Sequence, residues 1–164
     1  MRHHAVPGEG PSDAKLCFIG EGPGAAEDLA GRPFCGRAGT FFDSMLAVAG
    51  LERKDVYVTS AVKCRPPENR TPHQNEYRIC GRFWLRQQLE ILKPTLIVLM
   101  GKTAVLQSLE ETASLATLHG TVREKNGYRY YLTYHPAAGM RFPAAANAMR
   151  DDFQGIQTLL RMDQ

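Results

Sequence analysis

The chain has 164 residues, 43% of them hydrophobic and 23% charged, which is the size and balance of a folded domain and excludes disorder as the dominant state. Twenty Lys and Arg against 17 Asp and Glu leave a formal charge of +3, too little by itself to mark a polyanion binder. Four cysteines (Cys17, Cys35, Cys64 and Cys80) are too sparse for a disulfide scaffold. With no apolar run near the ~18 residues of a membrane span and no apolar leader core, the expected location is a reducing cytoplasm and no membrane partner is expected.

Residues 15–19 form a short apolar run stopped by Gly20 and predict a buried strand. After a loop rich in Gly and Pro, residues 38–49 carry Phe41, Phe42, Met45, Leu46 and Ala49 at helical spacing, with Gly50 as the C-terminal cap. Residues 55–62 read as a second strand. Thr71-Pro72-His73-Gln74 opens a long helix, with Thr71 as N-cap and Pro72 at the first helical position. Its apolar face is expected at Tyr77, Cys80, Trp84 and Ile91, with Leu85, Leu89 and Leu92, before Lys93-Pro94 ends it. Residues 95–100 are a continuous apolar run, as in a sheet covered on both faces. Residues 102–109 predict a short helix, 122–134 a hairpin about Asn126-Gly127, and 147–160 a closing helix. The alternation predicts one α/β domain over residues 1–164, a parallel sheet with helices on both faces.

The unusual residues fall where such sheets bind ligands, at the carboxyl ends of the strands. These are Gly20-Glu21-Gly22-Pro23-Gly24 followed by Glu27-Asp28, then the segment from Lys63 to Arg70, then Gly101-Lys102, then His135-Pro136-Ala137-Ala138. Four loops are therefore expected to face one crevice. The glycine loop fits neither a dinucleotide fingerprint nor a Walker loop. Pro23 argues for a fixed cradle of backbone amides over a helix start. Phe34, with little room for a core role, is either a plug or a platform for a flat ring. His135, extended before a proline, is placed as a hydrogen-bond donor or acid/base group. Ser60 is either a site hydroxyl or a strand-end filler. Fourteen of the 20 basic residues are arginine, and five lie between Arg65 and Arg86 against two glutamates, a solvated helix face or a phosphate-gripping stripe.

The glycine loop, the stretch Gly31-Arg32-Pro33-Phe34-Cys35-Gly36, Val62-Lys63-Cys64-Arg65-Pro66-Pro67 with Asn69-Arg70, and His135-Pro136-Ala137-Ala138 occur in the order seen in family 4 uracil-DNA glycosylases, which the chain resembles over nearly its whole length. The resemblance implies a four-stranded parallel sheet flanked by helices on both faces. It implies an enzyme of base-excision repair that hydrolyses the N-glycosidic bond of uracil flipped out of DNA and leaves an abasic site, with uracil-containing DNA as partner; the expected working form is a monomer. By the same resemblance, Phe34 stacks on the extruded base. Glu21, with the amides of Gly20, Gly22 and Gly24 around Pro23, holds the base and the attacking water, and Glu27 stands near the sugar. His135 donates to the pyrimidine O2. Asn69 and Arg70 line the DNA side, and Met140 and Arg141 enter the duplex, while the charge pattern itself adds Arg65 and the arginines up to Arg86 as expected phosphate contacts.

The chain departs from the family in two places. Ser60 stands where the family has an asparagine that reads the uracil edge, which keeps open a glycosylase for another deaminated base, such as hypoxanthine or xanthine, or a non-catalytic nucleic-acid or nucleotide-binding module. Glu21, Phe34 and His135 together favour an enzyme. The family's iron–sulfur cluster uses four cysteines. Cys64 and Cys80 match the downstream pair and the upstream Cys-x-x-Cys has no counterpart here, so these two are metal ligands only if cysteines outside this chain complete the set. No cofactor is expected for the chemistry.

Overall fold

The computed structural model describes residues 2–112 and 114–163. Strand β1 (Leu16–Gly20) alternates its side chains between two faces, as the period of a strand requires. Leu16 and Phe18 enter one core, and Cys17 and Ile19 enter the other. Strands β2 (Tyr57–Ser60), β3 (Leu96–Met100) and β5 (Tyr128–Thr133) run parallel to it, and β4 (Val122–Lys125) pairs antiparallel with β5. The order is β2-β1-β3-β5-β4. Among the described residues the sheet thus has five strands, not four, because the hairpin's first arm adds an edge strand. Its turn residues Asn126 and Gly127 take φ of +52° and +80°, the left-handed pair that a two-residue hairpin needs.

Helices α2 (Arg37–Val48) and α8 (Pro143–Met162) cover one face, where Phe18 packs between Phe42 and Phe153 with ring centroids 5.1 and 5.7 Å away. Helices α4 (Arg86–Leu92), α5 (Lys102–Leu109) and α6 (Leu115–Leu118) cover the other. Residues 5–9 run along the outer edge of β2, with bridges Ala5 to Cys64 and Glu9 to Val58. No described helix is long and apolar enough to cross a membrane.

Several expectations need correction. Helix α1 (Ala25–Ala30) starts directly after the glycine loop, because Pro23 precedes the extended N-cap Gly24 and costs the helix no hydrogen bond. The long helix begins as α3 (Gln74–Cys80), with His73 and not Thr71 as N-cap. The Glu76 carboxylate reaches back to the His73 N–H at 2.7 Å and fixes the start there. A π-helical turn (Gly81–Leu85) then joins α3 to α4. Its wider turn rotates the face, so Tyr77 is continued by Leu85, Leu89 and Leu92, while Trp84 and Ile91 are 59% and 73% exposed. The last helix starts at Pro143, four residues ahead of the expected 147, because proline at the first helical position is preorganised for it.

Candidate active site

The carboxyl ends of β1, β2 and β5 open on one cavity of about 470 Å³. Its wall holds Glu21, Gly22, Pro23, Gly24, Glu27, Phe34, Ser60, Asn69, Arg70, His135 and Arg141, so most of the expected site residues converge. Gly20 stands directly behind. A Cβ there would lie 2.6 Å from the tip of the Phe34 ring and 3.5 Å from His135 Nε2, so glycine is what lets the two rings approach. Met140 is 39% exposed on α7 (Pro136–Arg141). Arg65 lies off this wall and donates to Asn69 Oδ1 at 2.7 Å. The expected third loop, Gly101-Lys102, is not on this wall. It acts from behind through Thr103, a buried hydroxyl that donates to Glu21 Oε2 at 2.7 Å.

The state of His135 follows from one contact. The Ala137 N–H donates to its Nδ1 at 3.1 Å, and since a backbone N–H only donates, Nδ1 is bare and the proton sits on Nε2. Burial pushes the ring's pKa down to about 4, against a partial upward pull from the Glu27 charge. The result is a neutral imidazole with its single N–H on the cavity side, 5.8 Å from the Phe34 ring centroid to centroid. Phe34 itself is 8% exposed and packs on Phe42 at 5.3 Å, so it is part of the core as well as the cavity wall, more of a core residue than the little room expected for it.

The two glutamates are held differently. Glu21 keeps one carboxylate oxygen on Thr103. Glu27 spends both, accepting from the N–H of Gly24 at 3.1 Å and of Gly36 at 2.9 Å, and so ties the glycine loop to the Phe34 loop. Ser60 is buried at the end of β2, and its carbonyl accepts from Lys63 Nζ at 2.8 Å. Lys63 also donates to Thr59 Oγ1 at 2.5 Å, and burial lowers its pKa to about 8. Asp28 is fully buried and accepts from the backbone N–H of His3 and His4 and bonds the His3 ring, which holds its carboxyl well below the usual range. These bonds strap the N-terminal segment across the site, and its Val6 joins the cavity wall. Sequence reasoning missed Thr103, and it placed Lys63 at the strand end without foreseeing that its ammonium would hold Thr59 and Ser60. A lysine directly after a strand's apolar end was the one available signal.

Arg70 meets Glu76 through two bonds of 2.8 Å, which lowers the Glu76 pKa to about 2. Cys64 and Cys80 share a second cavity of about 750 Å³, together with Arg2, Arg65 and Ile79. Cys17 is sealed inside the sheet and Cys35 is exposed on the Phe34 loop. No group of three or more His, Cys, Asp or Glu among the described residues is arranged to hold a metal. Two converging thiols do not fit a cluster that needs four thiolates.

The Uracil DNA glycosylase superfamily model matches residues 7–156. The chain is 38% identical to the type-4 uracil-DNA glycosylase of Saccharolobus solfataricus, over 98% of this chain and 78% of that one. It is 42% identical to the type-4 enzyme of Thermotoga maritima, over 85% and 73%. Identity to the type-5 uracil-DNA glycosylase of Pyrobaculum aerophilum is 34%, over 95% and 74%. With the cavity at the strand ends and the matched span running through every loop that builds it, the chain belongs to the uracil DNA glycosylase superfamily and groups with its type-4 members.

Proposed function

We propose that this chain acts as a single unit, residues 1–164, that hydrolyses the N-glycosidic bond of uracil extruded from DNA and leaves an abasic site. A base inside the stack is out of reach, so it must be flipped into the cavity and read there. Phe34 offers the face on which the pyrimidine lies. Cleavage moves the bonding electrons onto the base, and the neutral His135 donates its Nε2–H to the O2 where that charge gathers. The leaving sugar becomes cationic. Glu27, fixed by two amides, supplies a static negative charge toward it, and Glu21, oriented by Thr103, holds the water that attacks. Ser60 presents a hydroxyl to the base edge. Asn69, Arg70 and Arg141 take the strand at the rim, with Met140 entering the space the base leaves. No step calls on a metal or cofactor.

What supports this reading best is the His135 tautomer, because a binding module has no need of a donor aimed where charge appears only during bond cleavage. The test is a panel of duplexes carrying uracil, hypoxanthine or xanthine, incubated with the protein and then cleaved with alkali at abasic sites. Uracil is expected to be released. His135→Ala is expected to lower the single-turnover rate about a hundred- to a thousandfold, with DNA affinity nearly unchanged. Release of hypoxanthine or xanthine without uracil would move the substrate to a purine and trace to the smaller Ser60.

A further inference from the structure

Phe34 holds its ring from an awkward backbone. Its φ is +48°, a region that bulky side chains rarely occupy, so neighbouring groups must impose it. Behind it, Gly39 in α2 comes so close that a Cβ would collide with the Phe34 carbonyl. The remaining grip comes from Arg53, in the 3-10 turn Arg53–Asp55 that precedes β2. Its guanidinium donates to the carbonyl of Phe34 and, at 3.3 Å, to that of Pro33. Its Nε donates to Asp43 Oδ1 at 2.6 Å, and the plane lies 5.2 Å from the centre of the Phe42 ring, the same ring on which Phe34 packs. One planar fork thus satisfies two successive carbonyls of the strained turn while Asp43 fixes its orientation, a task a lysine's point charge cannot perform. Arg53 is no part of the cavity wall.

The geometry points to Arg53 as a positioning residue that sets the Phe34 ring for stacking, with Asp43 as its orienter. The role rests on the reading of Phe34 as the uracil platform, and it adds a residue remote from the base to the set that determines base capture. Without the fork the turn relaxes from positive φ and the ring leaves its tilted packing, 33° from the His135 plane.

The test is a double-mutant cycle read at saturating enzyme on a uracil duplex. Arg53→Ala is expected to lower the single-turnover rate roughly ten- to a hundredfold, to leave affinity for abasic product DNA unchanged, and to recover in part when guanidinium, but not sodium, is added. Arg53→Ala combined with Phe34→Ala is expected to be no slower than Phe34→Ala alone. Arg53→Lys carries the same cycle if the alanine variant does not fold. Losses that multiply, or an undiminished rate in both Arg53 variants, overturn the proposal. Fluorine NMR of protein containing fluorophenylalanine decides the clamp apart from activity. The Phe34 resonance, assigned with Phe34→Leu, should be single in the parent and broadened or split without Arg53, and an unchanged line overturns the clamp. A parent protein that releases no uracil overturns the glycosylase reading alone.

Discussion

His135 leaves Nδ1 bare to accept from the Ala137 N–H only while its ring carries a single proton, and burial keeps it in that form across the neutral range by lowering its pKa to about 4. The first consequence concerns rate. Between about pH 8 and about pH 5.5 the single-turnover rate should show no inflection from this histidine, whose unperturbed pKa would place one in that interval. A fall centred at 6.5, the ordinary histidine value, would mean that the ring is freely solvated when DNA is bound. The second concerns stability and has a definite sign. Between about 4 and 6.5 the unfolded chain binds a proton that the folded chain refuses, so this contribution rises with pH through that window and is lost as pH falls from 6.5 toward 4. Urea midpoints of the parent should therefore drop more steeply over that range than those of His135→Gln.

At the scale of elements, the π turn at Gly81–Leu85 decides which half of an apolar helix is core. Leu89 is 6% exposed among the sheet-covering side chains, and Leu89→Ala should cost about 2–4 kcal/mol in thermal or urea unfolding. Trp84→Gln should change stability by no more than about 0.5 kcal/mol, since the indole is 59% exposed. A large loss at Trp84 would place it back on the buried face that simple helical spacing predicts. The strands, α2, α5 and the hairpin were legible because each rests on a local pattern: a continuous apolar run, a 3.6-residue period capped by glycine, an Asn-Gly turn. The register of the long helix was not legible, because one widened turn leaves no mark in composition and shifts every later side chain. The site divides the same way. His135, Phe34 and the glycine loop announce themselves by type and by position at strand ends. Thr103 and Arg53 act through partners 82 and 19 residues away in sequence, and no local signal carries such pairings.

Across the whole molecule the arginines sort by what already holds them. Arg86 is paired with Glu90, Arg82 lies over the ring of its neighbour Phe83, and Arg70 is gripped by both oxygens of Glu76. Arg141, on the cavity rim, has no ion pair among the described residues. The net charge of +3 therefore does not locate where phosphate is met. Glu21 and Glu27 offset Arg70 and Arg141 on the cavity wall, and of these two arginines Arg141 alone is free of an ion pair among the described residues. Phosphate contacts release counterions, so the logarithm of DNA affinity should fall linearly with the logarithm of salt. Arg141→Ala should weaken binding to any sequence and reduce that slope by about one. Arg70 can reach a phosphate only by giving up its carboxylate, an exchange of one charge-assisted pair for another, so Arg70→Ala should change the slope less than Arg141→Ala does. Arg86→Ala, at a residue that lines a different cavity and is paired with Glu90, should leave the slope unchanged. Equal slope losses for Arg86, Arg70 and Arg141, measured by fluorescence anisotropy over a salt series, would show instead that DNA lies along the helix face and that the basic stripe, not the rim, directs the strand to the cavity.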